Sequence, residues 1–179
     1  MVQVILVDEQ DGEVGTAEKL SAHREGRLHR AFSVLVVSPQ GQLLLQRRHP
    51  AKYHSGGLWT NACDGHPLPG EPTADAARRR LREEMGLDCP LEWLFAFTYK
   101  VALDHDLMEH EYDHVFLCTS AGQIVPDPAE VAEWAWVSPA DLQRRMQERP
   151  EEYAVWFRLL LPRALARLGI PGAPVLDGE

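Results

Sequence analysis

The residues best suited to chemistry fall between positions 65 and 87. Gly65 opens a loop, Glu71 follows it, and Arg79, Glu83 and Glu84 then sit on a basic segment that ends at Gly86 and Leu87. A loop and helix carrying paired carboxylates suits a divalent cation, because hard cations take carboxylate oxygens. Glu109 and Glu111 are separated by one residue, so on a strand both carboxylates face the same side. Basic residues cluster at Arg47, Arg48 and Lys52, and again at Arg78, Arg79, Arg80 and Arg82. The chain as a whole carries a net charge of -9. Local positive charge on an acidic protein fits an anionic small molecule better than a polyanion, so no nucleic-acid partner is expected.

The elements that must position these groups can be read from patterning. Residues 2–7 are apolar and rich in Val and Ile, which predicts an edge strand or hairpin arm, with a turn over 8–15. Residues 31–37 and 42–46 are apolar runs split by Ser38-Pro39-Gln40-Gly41, the composition of a β-turn, which predicts a hairpin. Residues 58–62 suggest a short strand. Residues 73–85 are the clearest helix: Ala76, Ala77, Leu81 and Met85 recur at helical spacing, Thr73 can cap the start and Gly86 ends it. Strands are predicted over 91–101, 111–118 and 133–137. Ser138-Pro139 opens a helix with Ser at the cap. A second long helix over 151–168 places Tyr153, Trp156, Phe157, Leu160, Leu161 and Leu165 on one side, with a kink expected at Pro162. Mixed strands with helices packed outside them give an α+β sandwich. One domain over 1–168 is expected, followed by a loose Gly/Pro-rich tail over 169–179.

Bulk properties agree with a soluble globular protein. A length of 179 residues with 45% hydrophobic and 25% charged content favours one full-sized core. No basic-then-apolar leader and no 18-residue apolar run is present, so neither a signal peptide nor a membrane span is expected. Cys63, Cys89 and Cys118 have no metal-ligand spacing, which reads as three reduced thiols in a cytoplasmic protein.

From Gly65 onward the residues match the Nudix box, G-x5-E-x7-R-E-U-x-E-E-x-G-U with U aliphatic. Gly65, Glu71, Arg79, Leu81, Glu83, Glu84, Gly86 and Leu87 fall in register, and Arg80 stands where the box has Glu. Further blocks occur in order: Lys19-x3-His23, Leu28-His29-x-Ala31-Phe32-Ser33, Gln46-Arg47-Arg48 with Lys52, Gly57-x-Trp59-Thr60-Asn61, Gly65-His66-Pro67 and Glu109-His110-Glu111. With these, residues 4–161 resemble a type I isopentenyl diphosphate isomerase, a Nudix-superfamily member. The resemblance implies a Nudix-type α/β/α sandwich with a mixed β-sheet. It implies one metal site from His23, His29, His66, Glu109 and Glu111, a mixed N/O shell suited to Mn²⁺, Mg²⁺ or Zn²⁺. It further implies Mg²⁺ bound at Glu84 with a prenyl diphosphate substrate, whose phosphates Lys19, Arg48, Lys52 and Arg80 hold. Losing a box carboxylate and gaining Arg80 should favour gripping a diphosphate over hydrolysing it. Moving a double bond needs an acid and a base on opposite alkene faces, and an aromatic wall that tolerates a carbocation. By resemblance Glu111, helped by Tyr99, is one proton carrier and Trp156 is the wall. A monomer or weak dimer is expected.

One residue departs from the family. The catalytic cysteine expected immediately before Gly65-His66-Pro67 is Asp64. Cys63 lies one position earlier, and on an extended backbone neighbouring side chains face opposite ways, so it cannot substitute. Carboxyls titrate near about 3.9 and thiols near about 8.5, so a carboxyl acting as an acid needs an apolar pocket to keep it neutral. Three readings follow: isomerisation with Asp64 as second proton carrier, a cyclase that protonates a longer prenyl diphosphate, or a residue changed to weaken turnover. A Nudix diphosphohydrolase and an inactive metal-dependent binding protein are the readings from other classes; Arg80 and the Gly-His-Pro block oppose the first, the intact ligand set the second.

Overall fold

The computed structural model describes residues 2–170. Its strands are β1 (Gln3–Val7), β2 (Glu13–Glu18), β3 (His29–Val37), β4 (Leu43–Arg48), β5 (Trp59–Thr60), β6 (Cys63–Gly65), β7 (Glu92–Ala102), β8 (Met108–Thr119) and β9 (Val131–Val137). The helices are α1 (Lys19–Glu25), α2 (Thr73–Met85), α3 (Pro139–Glu148) and α4 (Val155–Arg167). All nine strands join one mixed sheet.

β3 organises that sheet. Along one edge it runs parallel to β8 over its whole length, from His29 beside Glu111 to Val37 beside Thr119. Along the other edge three strands share it in turn: β1 at His29, β6 from Phe32 to Val34, and β4 at Val37. β4 then diverges to pair with β9 and β5. The sheet therefore forks beside β3, and the fork leaves room for a cavity over the middle of the molecule.

Alternation along the strands separates two faces. Phe32, Val34, Val36, Leu44, Cys63 and Phe116 face α2, whose Ala76, Ala77, Leu81 and Met85 complete that core. Leu35, Leu43, Leu45 and Val115 face α4, whose Trp156, Phe157, Leu160, Leu161 and Leu165 fill the other. Fully burying side chains such as Phe157 or Leu160 stabilises by about 1.5–3 kcal/mol each, which is what holds α4 on the sheet. This is the expected α/β/α sandwich.

Several local expectations are corrected. Residues 13–18 form β2 and pair with β1, so the turn is confined to positions 8–12. α1 has only seven residues, too few to announce itself by periodicity; the Glu18 side chain accepts from Ser21 N–H, and left-handed Gly26 ends it. The residue capping α2 is Pro72, not Thr73, and no side chain bonds there. The helix expected over 151–168 begins at Val155, because Tyr153 and Ala154 are extended and dock on Trp59. α4 runs on through Pro162. Cys89 and Cys118 are paired in a disulfide with Cα atoms 6.5 Å apart, and only Cys63 is a free thiol. The pairing arises because the loop after α2 returns beside the end of β8, a proximity that spacing cannot reveal. Most of the expected tail, from residue 171, lies outside the described residues.

Candidate active site

Strand register builds the site. Tyr99 on β7 lies opposite Glu111 on β8, and Glu111 lies beside His29 on β3. Paired residues in adjacent strands share a face, so a phenol, a carboxylate and an imidazole stand in a row. The Tyr99 hydroxyl donates to Glu111 Oε2 at 2.6 Å and lies 3.4 Å from Glu109 Oε2. Burial first, then the charges of Glu109 and Glu111, push the phenol well above its ordinary range, so it stays protonated.

Three imidazoles converge on the other oxygen of Glu111. His23 Nδ1–H donates to the Lys19 carbonyl at 2.8 Å, one helical turn back. His29 Nδ1–H donates to the Arg27 carbonyl at 2.8 Å. These bonds put a proton on Nδ1 of each ring and leave Nε2 turned inward. His29 Nε2 lies 3.1 Å from His66 Nε2, which lies 2.9 Å from Glu111 Oε1. His23 Nε2 is buried and has no hydrogen-bond partner among the described residues. Burial chiefly pushes His23 down to about 4 and His66 down to about 3, so both are neutral. Neutral nitrogen lone pairs crowded against a carboxylate, with an orphaned buried Nε2 beside them, fit a divalent cation. The carbonyl bonds to the remote ring nitrogens are the usual support of metal-bound imidazoles.

The expected ligands separate into two groups. Donor atoms of His23, His29, His66 and Glu111 all lie within 4.8 Å of one another, while Glu109 groups with His23 and His54. Burial, then the neighbouring Glu111 charge, raises the Glu109 carboxyl well above the carboxylate range. In Glu111 burial acts the same way, but the imidazoles of His29 and His66 beside Oε1 override it and hold the carboxyl low.

Asp64 follows Cys63 on β6 and lies opposite Ser33 on β3. It lines a cavity of about 380 Å³ that also receives Lys19, Arg48, Glu84, Tyr99 and Glu111. Asp64 Oδ2 is 3.4 Å from the Arg48 guanidinium, and Oδ1 is buried with no hydrogen-bond partner among the described residues. Cys63 points the other way into the α2 core, fully buried, where burial raises its thiol well above the ordinary range. A β-bulge in the pairing of β4 with β9 falls between Arg47 and Arg48. Beyond it Arg48 lies 5.1 Å from the Trp156 ring centre, beside Asp64. Trp156 is fixed by its indole N–H, which donates to Thr60 Oγ1 at 3.0 Å, and Thr60 in turn donates to Asn61 Oδ1 at 2.8 Å. It is both a core residue and part of the cavity wall.

The remaining cations stand at the cavity's α2 side. Arg80 bonds Glu84, Glu83 and Glu130, and Lys52 pairs with Glu130. Glu84 also accepts from Gln46 Nε2 at 2.9 Å. Burial, then Asp64, raises the Glu84 carboxyl, and burial lowers the Lys19 and Lys52 ammonium groups. Arg78 and Arg82 instead clamp Asp88 on the exposed helix face, as a solvated role requires. Glu71 takes two bonds from Arg79, at 2.7 and 2.9 Å, and one from Leu68 N–H, which fixes the loop to α2.

Sequence reasoning gave Gln46 no role of its own and did not single out His54, Asp113 or Glu130. Asp113 carried a usable signal, since it continues the alternation of Glu109 and Glu111; it is buried and accepts from Ser33 Oγ at 2.8 Å. His54 lies in an irregular segment between β4 and β5, and no spacing marks it.

Among known proteins, residues 27–158 match the NUDIX domain model. The chain is 49% identical over 171 residues to isopentenyl-diphosphate Delta-isomerase 2 of Aromatoleum aromaticum, covering 96% of this chain and 90% of the relative. It is 47% identical to the isopentenyl-diphosphate Delta-isomerase of Burkholderia multivorans, covering 97% of this chain and 95% of that one. In fold it resembles the crystal structure of DR0079 from Deinococcus radiodurans, with a TM-score of 0.75 at 22% identity over 90% of this chain and 98% of the other.

Proposed function

The chain belongs to the Nudix family and, within it, to the isopentenyl-diphosphate Delta-isomerases, and from that premise we propose that it converts isopentenyl diphosphate to dimethylallyl diphosphate. The observation that carries the site assignment is the meeting of His23, His29, His66 and Glu111 at a cavity that His66 and Glu111 line together with Asp64 and five cationic side chains.

The reaction adds a proton to the terminal methylene carbon and removes one from the carbon beside the diphosphate-bearing carbon. The π electrons form the new C–H bond and leave a tertiary cation; loss of the second proton restores a double bond, so protons balance. Asp64 carries one proton and Glu111, bonded to Tyr99, the other. The face of Trp156 tolerates the intervening positive charge without attacking it. Lys19, Arg48, Lys52 and Arg80 hold the diphosphate. His23, His29, His66, Glu109 and Glu111 would hold a Mn²⁺, Mg²⁺ or Zn²⁺ ion, and Glu84 a Mg²⁺ shared with the diphosphate. Such cations supply positive charge that keeps carboxylates ionised and neutralises phosphate oxygens.

Incubation with isopentenyl diphosphate and Mg²⁺ plus Mn²⁺ in D₂O tests the proposal. Deuterated dimethylallyl diphosphate without phosphate release is expected. Phosphate release would establish a diphosphohydrolase instead. Inertness toward isopentenyl diphosphate, with cyclic product from geranyl, farnesyl or geranylgeranyl diphosphate, would establish a cyclase.

A further inference from the structure

The two donor groups share one residue, His23, and that residue decides how they are used. Its Nδ1–H is committed to the Lys19 carbonyl at 2.8 Å, so Nε2 offers a single lone pair. One lone pair serves one ion. The group of His23, His29, His66 and Glu111 and the group of His23, His54 and Glu109 therefore cannot each hold a cation through His23 at the same time.

We propose that they are two sides of one metal site and that His54 is its sixth ligand, giving a shell of four imidazoles and two carboxylates. This rests on the metal-dependent reading above and extends it. His54 is buried, and its Nε2 lies 3.7 Å from Glu109 Oε1. That is too long for a hydrogen bond. It lies within the span of two donors on a common ion, about 3.0 Å for adjacent and about 4.2 Å for opposite positions at Zn–N-like bond lengths. Its other nitrogen, Nδ1, lies 3.3 Å from Ser55 Oγ, a partner that leaves Nε2 free to coordinate. Ser55 is held at φ 50°, a left-handed conformation that costs a non-glycine residue about 1 kcal/mol. Arg48 reaches the His54 carbonyl at 3.4 Å, which ties the same segment to the cavity wall. The ring of His54 also stands edge-on to Trp156, with centroids 5.8 Å apart, so the sixth donor links the ion to the aromatic wall.

Two consequences follow. Four imidazoles favour a borderline transition-metal ion over Mg²⁺, which prefers oxygen. A shell filled by protein donors leaves no position for the diphosphate, so the substrate's own Mg²⁺ belongs at Glu84.

The test loads the full chain with Mn²⁺ alone, counts ions by equilibrium dialysis, and counts coordinated imidazole nitrogens by pulsed electron paramagnetic resonance. One ion per chain and four nitrogens are expected. His54→Ala and His54→Gln should each lose one nitrogen and bind Mn²⁺ about 10- to 100-fold more weakly. Three nitrogens in the unaltered protein, or two ions per chain, would overturn the proposal without need of any variant. His29→Ala separates the two levels. Loss of affinity there with none at His54 overturns the sixth ligand alone, whereas no loss at His29 overturns the metal site itself.

Discussion

At the scale of single residues, Asp64 and Cys63 show how one step along a strand decides chemistry. Both sit on β6, yet Cys63 is sealed into the α2 core while Asp64 lines the cavity. The alternation of an extended backbone forces that division, and it was readable from the two positions alone. The Asp64 carboxyl lines the cavity, and its Oδ1 has no hydrogen-bond partner among the described residues. Asp64→Asn keeps size and shape but removes the acid, so turnover should fall at least about a hundredfold, the usual scale of a lost general acid or base. Product formed in D₂O should also carry less deuterium at the carbon this group serves. Asp64→Cys should retain or raise isomerisation if the pocket is that of an isomerase, and abolish activity if it is that of a cyclase needing a stronger acid. Unchanged turnover in Asp64→Asn would remove Asp64 from the mechanism.

At the scale of elements, the loop and helix over 65–86 is held by Glu71 and Arg79. The Arg79 bond, opposed by burial and aided by Leu68 N–H, holds the Glu71 carboxyl below its ordinary value. A carboxyl lowered in the folded state stabilises above its unfolded pKa, about 4.3, and loses that contribution as pH falls through the folded value. The pair is partly exposed, so Glu71→Gln should cost about 1 kcal/mol at neutral pH, or about 2–4 °C in melting temperature. The gap between variant and unaltered protein should close as pH falls through the lowered value of the Glu71 carboxyl; a gap independent of pH would show that the charge contributes nothing. A second tie is covalent. Unfolding without reductant should expose one reactive thiol, Cys63, and unfolding with reductant three, because Cys89 and Cys118 are paired. Three thiols without reductant would show that the pair is open in solution. α2 was legible to the residue at both ends, since its apolar spacing and Gly86 leave little choice. α1, β2 and the true start of α4 were not, because each depends on a partner far along the chain: β1 for β2, and Trp59 for the stretch before α4.

At the scale of the whole molecule, the sandwich was readable because alternating strands and two amphipathic helices admit few layer arrangements, and the family blocks named the expected ligands. What sequence could not supply was the company those ligands keep. Glu109 sits with His54 because a segment between β4 and β5 folds over the cavity, and no periodicity encodes that fold-back. The proposed ligands come from α1, β3, the segment after β6, β8 and the segment before β5, so an ion held by them would cross-link most of the structure. Metal removal should therefore be felt globally. An ion present at about a thousand times its Kd stabilises by about 4 kcal/mol, which for a chain of this size is about 8–16 °C in melting temperature. The metal-free protein should still fold, because burial keeps His23 and His66 neutral and the apo site escapes clustered positive charge. Chelation followed by readdition of Mn²⁺ should lower and then restore the melting temperature, with a single transition throughout because the ligands span both sides of the fork at β3. An unchanged melting temperature would mean that the imidazoles hold no ion. A second, lower transition appearing only after chelation would mean that the ligating segments unfold apart from the sheet, and that the ion clips them to a core that is stable without it.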